Sequence, residues 1–233
     1  MATIRILSAG AVQAMVTSLG VEFERASGHK LDLNFATAGK VKERVAGGEP
    51  VDVAISSQAA IAALDKAGTF VAGSVANLAS TSTGLFVRAG AELPDISTPE
   101  KFKQALLSAK TFAYSDPAGG GTGGKLFAAM LERLGIKAEI DRKTVFGNRG
   151  VEVVAHVTEG RADMGATFIS EVLPHSAARV VGELPGDLGD TNGYAAAIPL
   201  TAKVRDEAAA FIAALVAPQT RARWSAAGLK PLF

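Results

Sequence analysis

The residues of this chain that could do chemistry sit in short turns rather than in a catalytic motif. Six stretches of small and hydroxyl residues recur: SAGAVQ at 8–13, ATAGK at 36–40, SSQ at 56–58, SDPAGGGTGGKLF at 115–127, GNRG at 147–150 and TFIS at 167–170. Turns built from Gly, Ala, Ser and Thr let backbone N–H groups approach a ligand closely, and a helix that follows presents partial positive charge to an anion. Two cations stand among them. Arg149 opens a helix pattern in GNRGVE and carries the planar fork that pairs with a carboxylate, and Lys40 follows ATAG as a point charge. Each has a plain alternative as a solvated side chain, and short strand-to-helix loops favour small residues and caps for their own sake. What points to a site is the number of such turns.

The stretch at 115–127 holds five of the chain's 25 glycines. Gly119 to Lys125 spells GxxxxGK, but Leu126 stands where a phosphate-binding loop needs Ser or Thr to hold Mg²⁺. Gly119, Gly121 and Gly124 spell GxGxxG, with Glu139 and Asp141 downstream. Ser115 to Ala118, however, separate the preceding strand from the first glycine, and the match lies mid-chain rather than in an opening βαβ unit. The third reading is a wide, anion-receptive turn whose Ser115, Thr122 and N–H groups ligate a small acid, and its alternative is a flexible surface loop. No cofactor and no metal is expected. The chain has no cysteine, no HExxH and no GxSxG, and His29, His156 and His175 lie away from these turns. Asp52 and Asp163 stand at strand starts, where structural hydrogen bonds are expected.

Those turns must be positioned by alternating elements. Hydrophobic periodicity predicts strands at Thr3–Leu7, Lys30–Phe35 and 51–56, with helices over Val12–Ser27, Lys40–Ala46 and Gln58–Ala67. A long extended stretch, Asn77–Arg88, follows. The pattern then restarts with a helix over Pro99–Leu107, the strand TFAYS, and a helix over Gly124–Leu134. After these come the strand TVFG, a helix over Arg149–Glu159, and the strand ADMGATF. A second extended stretch, GYAAAIPL at 193–200, leads to the helix DEAAAFIAALV. Such alternation predicts an α/β fold with mostly parallel sheets flanked by helices, and these sheets bind ligands outside the carboxyl ends of their strands.

At 233 residues, 48% hydrophobic, 20% charged and +1 in net charge, the composition is that of an ordinary globular protein. The balanced charge, with no basic cluster interleaved with aromatics, argues against nucleic acid, and no apolar run suggests membrane insertion. A monomer is expected. The opening MATIRILSAGAVQ enters a strand pattern directly and lacks the features of an export signal. The chain as it stands is therefore expected in the cytoplasm, or in the periplasm if it is a mature form.

Three long stretches, 6–64, 115–135 and 148–172, together resemble the substrate-binding proteins of ABC transporters, specifically the molybdate-binding type, and the resemblance covers nearly the whole chain. It implies the two-lobed type II periplasmic binding fold. Residues 1–80 plus 197–233 would form lobe 1 and 84–193 lobe 2, with hinge strands at about 77–88 and 193–200. It also implies closure of the lobes on a small oxyanion held largely by neutral donors at helix starts, and an ABC permease as partner.

Departures from that family carry information about the ligand. Its first turn has a hydroxyl residue where this chain has Gly10 and Ala11, and its serine-rich second turn reads Thr37, Ala38, Gly39, Lys40 here. A family tyrosine corresponds to Phe168, and Asn148 falls where the family uses a backbone N–H. Fewer hydroxyl donors suit a desolvated dianion poorly, whereas a larger, partly apolar organic acid suits small residues and a phenyl ring. The expected ligand-binding set is Ser8, Gly10, Ala11, Thr37, Ala38, Gly39, Lys40, Ser57, Ser115, Thr122, Gly123, Asn148, Arg149 and Phe168. Two further readings stay open: a cytoplasmic ligand sensor, and a cofactor-independent isomerase of an unsaturated carboxylic acid, similar to aconitate isomerase. The isomerase would draw its base from Lys40, Glu43 or Glu171.

Overall fold

The computed structural model describes residues 1–233. In chain order its strands and helices are β1 (Thr3–Ala9), α1 (Gln13–Ser27), β2 (Lys30–Ala36), α2 (Ala38–Ala46), β3 (Val53–Ser57), α3 (Gln58–Lys66), β4 (Ala76–Arg88), α4 (Pro99–Ser108), β5 (Phe112–Ser115) and α5 (Thr122–Arg133). They continue with α6 (Lys137–Asp141), β6 (Thr144–Gly147), α7 (Gly150–Thr158), β7 (Met164–Phe168), α8 (Ile169–Val172), β8 (Ala178–Glu183), β9 (Thr191–Ala197), α9 (Arg205–Leu215), α10 (Arg221–Ala226) and β10 (Lys230–Pro231). The chain divides into two compact units, Met1–Ser80 with Asn192–Phe233, and Thr81–Thr191.

In the first unit β1 pairs in parallel with β2 and with β3, and β9 runs antiparallel to β3, giving the order β2-β1-β3-β9. Exposure explains the order. Every residue of β3 is buried, as befits a central strand, while β2 alternates between exposed and half-buried positions, as an edge strand does. Leu7, Val41, Val45, Ile61, Leu64 and Phe70 form one of its packed clusters. On α1, Phe23 meets Phe211 of α9 edge-on, with ring centroids 5.2 Å apart. Helix starts are set by local chemistry: Thr37 Oγ1 accepts from the Lys40 N–H at 3.4 Å and Ser57 Oγ from the Ala60 N–H at 3.3 Å, so both are N-caps.

Asp52, just before β3, is almost wholly buried. Its carboxylate accepts from Arg5 Nε at 3.1 Å, from the Arg5 N–H at 2.9 Å and from the Lys203 N–H at 2.8 Å. Burial alone would raise its pKa, but these donors overcome that and hold it below the usual carboxylate range. Asp163 likewise accepts from the N–H groups of Lys110 and Thr111, at 3.1 and 3.0 Å. Both acids are structural.

In the second unit β5 pairs in parallel with β6 and β7, β4 runs antiparallel to β7, and β8 pairs antiparallel with β4. One face buries Leu85, Phe102, Phe112, Tyr114, Phe127 and Leu131, and another cluster gathers Phe86, Val153, Val154 and Val157. Tyr114 donates to Asp141 at 2.6 Å, and burial first, then that carboxylate, push its phenol well above the usual tyrosine range. The architecture is the α/β type read from the sequence. α6, α8, β8 and β10 have no counterpart in that reading, because they are short and carry no repeat of period 3.6 or 2 long enough to detect.

Candidate functional site

In the first unit, register brings three turns to one sheet end. Ala9 pairs with Ala36 and Ser8 with Ile55, so β1, β2 and β3 finish side by side and their following turns share an edge. Gly10 and Ala11 form a single 3₁₀ turn leading into α1. Ser8, fully buried, donates only to its neighbour's carbonyl, Ala9 O, at 3.2 Å. Ala38 and Gly39 occupy the first turn of α2, and Lys40 turns outward, its Nζ 2.7 Å from Glu43 Oε2 in an exposed pair. An exposed pair of this kind is worth at most about 1 kcal/mol, so little opposes its rearrangement. The capping role of Ser57 uses its oxygen as acceptor and leaves the hydroxyl hydrogen to donate.

β9 adds a residue that sequence reasoning missed. Ser57 pairs with Tyr194, and a side chain at Gly193 would meet Gln58 Oε1 at 2.0 Å, so the strand continues past the start of α3. Asn192, next along, has a buried Nδ2 with no hydrogen-bond partner. No motif marks it in the sequence. A buried amide donor without an acceptor is costly unless water or a ligand satisfies it.

The second unit assembles its turns in the same way. Ser115 pairs with Gly147 and Tyr114 with Ala166, so β5, β6 and β7 end together. The end of the glycine run, at Gly123 and Gly124, is closely packed. Asp116 caps the 3₁₀ turn through the Ala118 N–H at 2.8 Å, Gly120 takes φ +79°, and α5 begins at Thr122, two residues before the predicted start. A Cβ on Gly124 would lie 2.4 Å from Ser115 O, and one on Gly123 would lie 3.2 Å from the Phe168 ring. Helix α5 therefore sits hard against the end of β5, with the buried Phe168 ring over its first turn. Close packing, and not only access for an anion, explains these glycines. Thr122 is the first residue of α5, so its hydroxyl stands at the start of that helix.

Asn148 and Arg149 meet at Glu152. Its carboxylate accepts from the Asn148 N–H at 2.9 Å, from Asn148 Nδ2 at 3.1 Å and from Arg149 Nε at 3.4 Å. Burial would raise the Glu152 pKa, and these donors bring it below the usual range. The spacing Arg149 to Glu152 is that of a helix cap with an acid at its third position, a signal visible in GNRGVE. The Arg149 side chain remains 41% exposed, so its guanidinium is accessible to a ligand that outbids one long ion pair. Among the bases considered, Glu43 is held by Lys40 on the surface, and Glu171 is buried, accepting from Thr167 Oγ1 at 2.6 Å.

Each unit thus presents hydroxyl, amide and helix-start donors along the carboxyl ends of parallel strands, and no three His, Asp or Glu side chains gather as a metal site. The profile of the family described as "Bacterial extracellular solute-binding protein" matches residues 4–230. The chain belongs to that family. Among solved structures, this solute-binding protein is similar to the periplasmic molybdate-binding protein of Azotobacter vinelandii, at 20% identity over 97% of this chain and 98% of that one, with a TM-score of 0.81. It is also similar to the substrate-binding domain of a putative molybdenum ABC transporter from Clostridium difficile, at 21% identity, full coverage of both chains and a TM-score of 0.72. These likenesses show the type II periplasmic binding fold. A curated protein, aconitate isomerase of a Pseudomonas species, is 28% identical over 99% of this chain and 88% of its own length. No helix is long and apolar enough to cross a membrane.

Proposed function

We propose that this solute-binding protein takes up a small organic anion, a di- or tricarboxylate in preference to a tetrahedral oxyanion, on the donors of its strand-end turns. Arg149 is the observation that carries the reading. It is a half-exposed guanidinium at the first turn of α7, restrained only by a 3.4 Å contact with Glu152, and its fork fits a carboxylate in two-point contact. Thr122 at the start of α5 and the uncommitted hydroxyl hydrogen of Ser57 add neutral donors, and Asn192 Nδ2 supplies an amide N–H in need of an acceptor. Gly10 and Ala11 leave the first turn without a side-chain donor, which favours a larger ligand with an apolar portion over a compact, fully desolvated oxyanion. Delivery to an ABC permease is the matching physiological role.

A second reading, isomerisation of an unsaturated carboxylic acid, is favoured by the similarity to aconitate isomerase along 99% of the chain. Both readings put the same ligand class in the same place. A thermal-shift panel of molybdate, sulfate, succinate, citrate and the cis and trans forms of aconitate tests the ligand class. At about 100 times its dissociation constant a ligand adds about 2.7 kcal/mol, which raises the midpoint by roughly 5 to 10 °C at this chain length. A shift with molybdate and none with the carboxylates overturns the preference for organic acids. Proton NMR of trans-aconitate incubated with the protein separates the two readings, since only the enzyme produces the cis isomer.

A further inference from the structure

Glu171 is a carboxyl group of the second unit that lies in the strand-end region. It lies on α8, immediately after β7, and is buried. Thr167 donates to its Oε2 at 2.6 Å, and the Phe168 N–H, at the cap of α8, also bonds it. The carboxyl rests against the first residue of α7: a Cβ on Gly150 would lie 1.9 Å from Oε2 and 2.2 Å from Cδ. It therefore stands at the positive end of α7, beside the residue that follows Arg149. Only a glycine permits this approach.

Charge around it is sparse. The elements packed against α8 include α7, β7 and β8, and Ile169 also meets Gly84 of β4. They carry Arg149, Glu152, His156 and Glu159 on or at the caps of α7, Arg179 and Glu183 on β8, Arg88 at the end of β4, and no ionisable group on β7. Of these only Arg149 acts on Glu171, and Arg149 is itself shared with Glu152. Burial is the largest influence and holds the carboxyl above the usual glutamate range, against the opposing pull of Thr167, Phe168 and Arg149. The group is thus a buried carboxyl biased toward its neutral form, near the place where an anion would bind.

We propose that Glu171 couples anion binding at the start of α7 to the uptake of one proton. The inference rests on the reading that an anion binds at this end of the second unit. A bound carboxylate brings negative charge to the α7 terminus and draws on Arg149, the one cation acting on Glu171. The ionised Glu171 carboxylate then takes a proton from solvent, becoming the neutral acid, while its oxygen still accepts from Thr167. Linkage requires the converse: protonation of Glu171 tightens anion binding, and affinity falls as pH rises through its titration. The protein would load its solute more tightly in acid surroundings and release it more readily as pH rises.

Calorimetry of trans-aconitate and of sulfate, each in buffers of different ionisation enthalpy, reads proton uptake directly. Sulfate keeps its charge throughout, and the ligand's own protonation cancels between wild type and Glu171→Gln, which preserves shape and an acceptor for Thr167. The expected result is uptake of a fraction of a proton by the wild type and none by the variant, with affinity falling as pH rises through the Glu171 titration in the wild type alone. Binding without a difference in uptake overturns the coupling and leaves the anion reading intact. Absence of binding by both probes overturns that reading, and the coupling with it. If Glu171→Gln does not fold, the carboxyl ¹³C resonance of Glu171 in the wild type serves instead: its midpoint rises on adding a bound probe, and an unchanged midpoint refutes the proposal.

Discussion

Gly124→Ala is the substitution whose consequence follows most directly from the geometry. The new Cβ would stand 2.4 Å from Ser115 O, 3.0 Å from the Ser115 carbonyl carbon and 3.1 Å from its Cβ. Two of these are backbone atoms of a strand end fixed in register between β6 and β7, so neither can swing aside. Relief requires the first turn of α5 to retreat by about 1 Å, and overpacking of this kind costs about 1–3 kcal/mol. Alanine regains at most about 1 kcal/mol of helix propensity over glycine, and less at a helix start. The net loss of roughly 0.5–2.5 kcal/mol lowers the melting midpoint by about 2 to 8 °C for a chain of this size. Gly119→Ala is the matched control, because the nearest atom to its Cβ, Asn148 O, is 3.8 Å away, and its effect should stay within about 0.5 kcal/mol. Circular dichroism melting of the three proteins decides the matter. A Gly124→Ala midpoint within about 1 °C of wild type would refute the claim that packing demands this glycine.

Three further outcomes follow. Glu152→Gln keeps an oxygen for the Asn148 N–H but removes the charge beside Arg149, so titration calorimetry should show a carboxylate ligand binding about 3- to 10-fold tighter; weaker binding would mean Glu152 orients Arg149 usefully. Asp52, held below the usual range, contributes stability that is present above the unfolded-state pKa and is lost as pH falls through the folded value. Asp52→Asn should therefore lose about 2 kcal/mol near neutrality, and its melting midpoint should converge on wild type below about pH 4; a gap independent of pH would contradict the assignment. Tyr114→Phe deletes a 2.6 Å bond to Asp141 and should cost about 1–2 kcal/mol in urea unfolding with no effect on ligand affinity, since Asp141 keeps its ion pair with Lys137.

The architecture was legible where elements are long and periodic. Buried runs such as VDVAIS and the amphipathic stretch 12–27 announce β3 and α1, whereas the caps at Thr37 and Ser57 read as ligand donors, and the pattern of α2 begins at Lys40 rather than Ala38. Four-residue α8 is different: Ile169 to Val172 spans barely one turn, and its placement comes from Ile169 packing on Gly84 and Glu171 packing on Gly150, contacts between residues distant in sequence. The turns were found as small-residue clusters, but the job of each residue within them was not. Gly123 and Gly124 read as room for a ligand and prove to be occupied by Phe168 and Ser115. Glu152 was passed over although its spacing from Arg149 is a capping signal, and Asn192 carries no local pattern because its significance lies in a missing partner.

Calorimetric binding of trans-aconitate to wild type, Ser57→Ala and Arg149→Ala tests most directly whether a small organic anion is the ligand and whether these donors hold it. Saturable one-to-one binding is expected, weakened several-fold by loss of the neutral Ser57 donor and about 10- to 100-fold by loss of the charged Arg149 donor. Wild-type affinity in both variants, or no binding of any carboxylate while molybdate binds, would contradict the account.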